Sequence, residues 1–250
     1  MSWTDDYNNN YSFVPEFGRD LMSILDVPKG SRVLDLGCGN GSLTQALTDV
    51  GYEAVGMDVS DDFLKSARAR YPHLHFVEGN AVNFETDEPY DAIFSNAMLN
   101  WINDEDHPQM LKSVYDALRP GGEFVFECGG FGNNALIHRA LSNAFASHHM
   151  KYQVPYYFPT IGNYATMLEK TGFRVIYAAL LDRPTPLLGE SGMRDWISMF
   201  IIKPFMGVAP DVKEKIINEA VSDLRSVLYS NKTWTADYVR LRMKAIRLYD

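Results

Sequence analysis

Three glycines spaced by one residue, Gly37, Gly39 and Gly41, follow the short apolar run Arg32-Val33-Leu34-Asp35-Leu36. Glycines at that spacing let the backbone turn tightly and approach a ligand with no Cβ in the way. Further on, Asp58 closes a second apolar run, Ala54-Val55-Gly56-Met57. An acidic side chain there can accept both hydroxyls of a ribose, or can serve as a turn or cap residue. Asp35, beside the loop, suits either a cationic ligand group or its own loop amides. A dinucleotide fingerprint would place its third glycine at position 42, where Ser42 stands, and no Gly-Lys-Ser/Thr occurs in the loop. The spacing therefore argues against a nicotinamide site and against a P-loop.

Such residues act together only if strands and helices bring them to one edge. The pattern alternates accordingly. Apolar runs at 32–36, 54–57, 75–77, 91–95 and 123–127 are separated by helical stretches, among them Leu43 to Val50, Asp61 to Arg70 and Gln109 to Leu118. Ser60 is a suitable N-cap for the second of these, with acids in its first turn and bases in its last. Strands alternating with helices of this length imply βαβ units and a parallel sheet. An amphipathic helix from Phe13, closed by Pro28 and Gly30, precedes them. A helix over Asn163 to Thr171 and a sixth strand over Phe173 to Leu181 follow. The C-terminal Tyr238 to Tyr249 alternates Val239, Leu241 and Met243 with Arg240, Arg242 and Lys244. This pattern predicts a seventh strand near an edge, its basic face solvated.

The chain has 250 residues, 46% of them hydrophobic and 22% charged, which fits one elaborated globular domain. That domain spans 1–250, with a core at about 30–128, 163–182 and 237–250 and insertions at about 129–162 and 183–236. The insertions are rich in aromatic residues and methionine, so they are expected to fold as helices over the C-terminal edge of the sheet, where such sheets bind ligands. The net charge of −9 disfavours a nucleic-acid partner. No apolar run reaches the roughly 20 residues of a membrane helix. The polar N-terminus lacks the features of a signal peptide. Cys38 and Cys128 have no metal-binding spacing, and His148-His149 belongs to no metal motif, so no metal is expected. These features together predict a cytoplasmic protein, a monomer or homodimer.

The segment Val33-Leu34-Asp35-Leu36-Gly37-Cys38-Gly39-Asn40-Gly41 resembles the first motif of class I S-adenosylmethionine-dependent methyltransferases. Asp58, Glu78-Gly79-Asn80-Ala81 and Leu118-Arg119-Pro120-Gly121-Gly122 match later landmarks of that family. More narrowly, Ser95-Asn96-Ala97-Met98-Leu99-Asn100-Trp101 resembles the fourth-strand motif of trans-aconitate methyltransferase-like enzymes, within the methyltransferase type 11 group. Phe158-Pro159-Thr160, Gly172-Phe173 and Arg183-Pro184-Thr185-Pro186-Leu187 extend the likeness to about residue 200.

The resemblance implies an α/β, Rossmann-like doubly wound sheet of about seven strands, mostly parallel with an antiparallel C-terminal strand, plus helical cap insertions. It implies S-adenosylmethionine as cofactor and S-adenosylhomocysteine as product. Gly37, Gly39 and Gly41 would lie against the methionine and ribose portions, with Asp35 beside them and Asp58 on the ribose hydroxyls. Asn80 stands where the family usually has Asp; its amide oxygen can accept from the adenine amino group but carries no charge. Ala81 would supply a backbone amide to the ring, and Val59 and Phe63 apolar contact. Asn96 would sit near the transferred methyl unless it is a turn residue, and Trp101 would wall the pocket or pack its helix.

Asn100 precedes Trp101 where relatives commonly carry His or Gln. Asn cannot act as a base, which favours an acceptor already ionised, such as a carboxylate undergoing O-methylation by direct in-line displacement. N-, C- or phenolic O-methylation, a carrier-bound acid, and non-catalytic binding of S-adenosylmethionine remain open at this point. An acidic acceptor would call for cations in its pocket. The candidates are Arg183 and Arg194 in the second insertion, Arg139 in the first, and Arg19. Tyr11 and Tyr157 are candidates to close over the methionine end or bond the acceptor.

Overall fold

The computed structural model describes residues 13–249. Its first half comprises α1 (Phe13–Met22), β1 (Arg32–Leu36), α2 (Ser42–Asp49), β2 (Glu53–Asp58), α3 (Asp61–Arg70), β3 (His75–Glu78), β4 (Tyr90–Asn96), α4 (His107–Ala117) and β5 (Leu118–Gly129). The second half comprises α5 (Ala135–Ser147), α6 (Ile161–Thr171), β6 (Phe173–Leu187), α7 (Gly192–Phe200), α8 (Pro210–Leu228), β7 (Tyr229–Ser230) and β8 (Thr233–Arg247).

The strands form one sheet in the order β3-β2-β1-β4-β5-β8-β6, with the two-residue β7 paired to β8. Strands β1 to β5 run parallel, and β8 is antiparallel to both its neighbours. The expected doubly wound fold with an antiparallel C-terminal strand is the observed one. β1 lies between β2 and β4, so the winding reverses there and opens a crevice at the strands' C-terminal ends.

Alternate residues of the central strands go to opposite faces, and helices cover both. Val33, Ala92, Phe94 and Val125 meet Leu21, Leu43 and Leu47 of α1 and α2. Leu34, Ile93, Phe124 and Phe126 meet Met110, Leu111, Tyr164 and Leu168 of α4 and α6. Caps delimit two helices as their sequences require. Ser60 Oγ accepts from the Phe63 amide at 3.4 Å, and Thr160 Oγ1 from the Asn163 amide at 3.1 Å. No helix among the described residues is long and apolar enough to cross a membrane.

The insertions do form helices, α5, α7 and α8, and a core of their own. Ile137, Leu141 and Phe145 of α5 pack with Trp196 and Ile197 of α7 and with Ile216, Ile217 and Leu224 of α8. The strand ends differ from expectation. β6 continues past Leu181 to Leu187, and β8 begins at Thr233, before Tyr238. Pro184 and Pro186 read as a strand stop, yet β6 is the edge strand. Two prolines spaced by two can both turn their donor-less nitrogens to that open edge. The β6–β8 ribbon therefore projects beyond Gly129, the end of β5, and Leu187, Trp234 and Ala236 on it join the cap core.

The basic stripe on β8 is also corrected. β8 lies near the edge as expected, one strand in with β6 outside it, but its cations are not solvated. Arg242 is 6% exposed and stands opposite Glu127 of β5; Lys244 is 6% exposed and pairs with Glu123 at 2.7 Å. Lys244 also donates to the carbonyl of Ile24 at 2.9 Å, and Arg242 reaches Asp20 of α1 at 2.9 Å. The carboxylates come from within an otherwise apolar strand, which is what allows the charges to be buried. Lys244→Met is expected to strand Glu123 and lower unfolding stability by about 3–5 kcal/mol, measured by urea denaturation. A shift under 1 kcal/mol would remove this role.

Candidate functional site

Two hollows meet above the C-terminal ends of the parallel strands. The first is an open cleft of about 510 Å³, lined by the β1–α2 loop, the ends of β2 and β3, and the segment after β4. Gly37, Gly39, Asp58, Val59, Asn80, Ala81, Asn96 and Trp101, from four separate segments of the chain, all line it. The second is a cavity of about 80 Å³ between the sheet and the cap. Asn96, Ala97 and Trp101 line both, so the two spaces share a boundary at those residues.

Local backbone geometry shapes the cleft. Gly39 has φ +52°, and a Cβ built on it would meet nothing within 4 Å, so its backbone opens directly onto the space. Gly41 does not line the cleft; at φ +77° a Cβ there would lie 2.7 Å from the Phe76 ring, so this glycine serves packing of the loop against β3. Asp58 accepts from the Gly39 amide and the Ser60 amide, each at 2.9 Å through a different oxygen. One lone pair per oxygen remains for a ligand hydroxyl, so holding the loop and binding a diol are compatible roles. Asn80 Oδ1 accepts from the Val82 amide at 3.0 Å, and Val59, 67% exposed, presents an apolar surface to the cleft. A nucleoside fits these features: a bare backbone approach, a carboxylate at the end of the second strand, and apolar and amide surface beyond it.

Asp35 lies elsewhere than a ligand group would require. It is buried beneath the loop and accepts from Thr44 Oγ1 at 2.7 Å. Burial pushes its carboxyl up to about 7, against the opposing Thr44 bonds and with a further rise from Asp58.

The walls of the second cavity come from the β6–β8 ribbon and the cap. Arg183 and Thr185 of β6, and Tyr238 and Arg240 of β8, project from the ribbon, and Tyr156, Phe158, Trp196 and Phe200 face them. Trp101, 45% exposed, packs edge-on against Tyr156 with ring centroids 5.0 Å apart. It therefore walls both spaces as well as packing its turn. At the base lies Glu127, 1% exposed. It accepts from Arg183 at 2.5 and 3.0 Å, from Arg242 Nε at 2.8 Å and from Arg240 Nε at 3.4 Å. Burial alone would raise its carboxyl, but the three guanidiniums override this and hold it below the usual carboxylate range.

Among the described lining residues of this cavity there is no histidine, and Glu127 is the one carboxylate. His107 and His138 lie outside it, each pushed down to about 4 by burial, chiefly desolvation, and each bonded through Nδ1 to a tyrosine hydroxyl. Tyr238 is pushed up to about 12 by burial, and Tyr156 higher still. Both phenols are donors at neutral pH.

Two expected substrate residues are corrected. Arg194 lies on the flank of α7 away from the buried Met193, Trp196 and Ile197; it pairs with Glu214 of α8 at 2.7 Å and with Asn218. Tyr157 faces away from the cavity, packing on the His107 ring at 4.7 Å, while its neighbour Tyr156 lines the wall. Tyr11 lies outside the described residues. Arg240 and Glu127 were missed as site residues. Their signal was present in the two acids of β5, four residues apart, and the basic stripe of β8, but only pairing β5 with β8 connects them.

Comparison with known proteins gives the same picture. Residues 33–122 match a family model described as a methyltransferase domain. An uncharacterized methyltransferase of Schizosaccharomyces pombe is 34% identical over 252 residues, covering 96% of this chain and 95% of that protein. A trans-aconitate 2-methyltransferase of Deinococcus radiodurans is 28% identical, over 82% of this chain and 83% of its own. Further proteins of that name match over less than half of either chain. Among solved structures, phosphoethanolamine N-methyltransferase 2 of Haemonchus contortus, in complex with phosphomonomethylethanolamine and S-adenosylhomocysteine, superposes with TM-score 0.58 at 18% identity. That alignment covers 100% of this chain and 61% of the other.

Asp35 makes stability depend on pH in a definite direction. The folded protein keeps this proton up to about pH 7, whereas an unfolded chain releases it near 3.8. The folded state thus holds the extra proton between those values, and this group's contribution falls as pH rises through that window. Asp35→Asn should flatten the decline, read as the thermal midpoint from pH 4 to 8. An unchanged profile would place the titration elsewhere.

Proposed function

The chain belongs to the S-adenosylmethionine-dependent methyltransferases, and on that premise we propose that it methylates the carboxylate of a small-molecule acceptor. The observation that carries the reading is the cavity adjoining the cleft at Asn96, Ala97 and Trp101, with Arg183 and Arg240 in its wall. Guanidinium groups are suited to carboxylates because their fork matches the two oxygens.

In this reading Asp58 holds the ribose hydroxyls, Gly37 and Gly39 pass beneath the methionine and ribose portions, and Val59, Asn80 and Ala81 receive the adenine. Bound there, S-adenosylmethionine supplies an electrophilic methyl that a carboxylate oxygen accepts as the C–S bond breaks, leaving a methyl ester and S-adenosylhomocysteine. An ionised carboxylate has no proton to lose, which agrees with a cavity whose described lining residues include no histidine and a single carboxylate tied to three arginines. The protein's contribution is then alignment and exclusion of water, which can lower a barrier by roughly 7–11 kcal/mol. Asn96 and Trp101, at the boundary of the two spaces, orient the acceptor toward the methyl. Tyr156, Phe158, Trp196 and Phe200 shield the path from solvent.

Calorimetric titration should give micromolar binding of S-adenosylmethionine and S-adenosylhomocysteine and none of NAD. Asp58→Ala should weaken that binding by about 1–3 kcal/mol; wild-type affinity in the folded variant would remove its assignment. Gly39→Val should abolish binding, because the new side chain enters the cleft and at φ +52° also strains the loop, while circular dichroism keeps the native helix and strand signal. Radiolabelled methyl transfer should then reach base-labile esters of carboxylic acids. Label found only on amines or phenols would refute the carboxylate acceptor.

A further inference from the structure

We propose that Asn134 selects an acceptor that carries a hydroxyl beside the carboxylate to be methylated; this rests on the carboxylate reading above. Asn134 lines the cavity, is 2% exposed, and its amide oxygen has no partner among the described residues. Buried amides ordinarily find partners, because leaving one unpaired is costly. The adjacent asparagine shows the ordinary case. Asn133 lines the same cavity, but its Oδ1 accepts from the Val239 amide at 2.9 Å and so ties the turn to β8.

The fold gives the Asn134 side chain no comparable task. Asn134 is the N-cap of α5, a position where asparagine usually bonds the first amides of the helix, yet its side chain makes no capping bond. Asp237 of β8 supplies the cap instead, accepting from the Leu136 amide at 2.7 Å. The backbone is also held without the side chain. The Asn134 amide donates to the Asp237 carbonyl at 2.9 Å, and the Asn134 carbonyl accepts from the His138 amide at 2.9 Å. Its φ of +54° is left-handed, where glycine would be less strained. A polar side chain is therefore kept in the cavity wall at a position whose backbone and cap do not need it.

Chemistry and size define its ligand group. A carboxamide turned about its last bond offers either its oxygen or its NH₂, and a hydroxyl, donor and acceptor at once, meets both. A methylene in the same place would leave the amide unpaired, which is how a buried polar group separates otherwise similar molecules. The cavity, about 80 Å³, is smaller than the roughly 150 Å³ that encloses benzene. The acceptor is thus a short hydroxy acid.

The test has two readouts. Asn134→Gly should keep the thermal midpoint within about 3 °C of wild type, because no bond within the fold is lost. A larger fall would assign the side chain to holding the fold, directly or through an ordered water, and would overturn the proposal. Methyl transfer from S-adenosylmethionine is then compared by kcat/KM for lactate against propionate and for 3-hydroxybutyrate against butyrate. The wild type should favour the hydroxylated member of at least one pair by about tenfold or more, and Asn134→Gly should bring that ratio close to one. Equal rates within both pairs, or a preference that survives in the variant, would overturn it. A wild-type preference for trans-aconitate over all four would overturn the hydroxyl requirement while leaving carboxylate methylation standing. Transfer to none of the acids, with transfer to amines or phenols, would instead refute the carboxylate reading itself.

Discussion

A carboxylate buried in the middle of the sheet, Glu127, governs much of the rest of the molecule. A charge in that position is tolerable only when opposing charges surround it. Arg242 meets it from directly across the β5–β8 ladder, Arg183 from β6 and Arg240 from further along β8. The cluster therefore requires β8 to lie between β5 and β6. Any other strand order would leave either the glutamate or the arginines without partners. Glu123 and Lys244 repeat the arrangement four residues away on β5 and two away on β8. Displacing β8 by one residue would turn these charges to the wrong face.

The same charges tie in the N-terminal helix. Asp20 bonds Arg242, the Ile24 carbonyl accepts from Lys244, and the Asp26 amide donates to Glu123 at 2.9 Å. α1 thus covers the polar stripe as well as the apolar core it shares with α2. Gly18, on this helix, lies so close to Leu43 and Asn96 that a Cβ would be 2.5 Å from Leu43 and 3.2 Å from the Asn96 amide nitrogen. A structural helix is consequently packed against a residue that lines both hollows.

Two different devices build the two halves of the site. The cofactor cleft arises from the reversal of winding beside β1, which leaves the ends of β1, β2, β3 and β4 exposed around a bare backbone loop. The adjoining cavity arises from the extra length of β6 and β8. Beyond Gly129 these strands have only each other and the cap to pack against, and their inward residues become a wall. The first device belongs to the sheet, the second to what is added to it.

The division between sequence and structure follows how far apart the interacting residues lie. The glycine loop, the Ser60 cap, the parallel core and the position of Asp58 were legible because each depends on a few neighbouring residues and on a period of two or 3.6. Gly37, Gly39, Asp58, Asn80, Ala81 and Asn96 were named through the family resemblance, and the structure brings them around one cleft because they lie at or just past strand ends, which a doubly wound sheet gathers at one edge. The choice between Tyr156 and Tyr157, the outward turn of Arg194, and the burial of Arg240, Arg242 and Lys244 were not legible. Each depends on contacts between segments separated by tens to more than a hundred residues. An alternating basic strand looks the same in sequence whether its charged face meets water or a row of carboxylates. Only the tertiary pairing of β8 with β5 decided which, because a buried charge is stable solely where its counter-charge has been brought within a few ångströms.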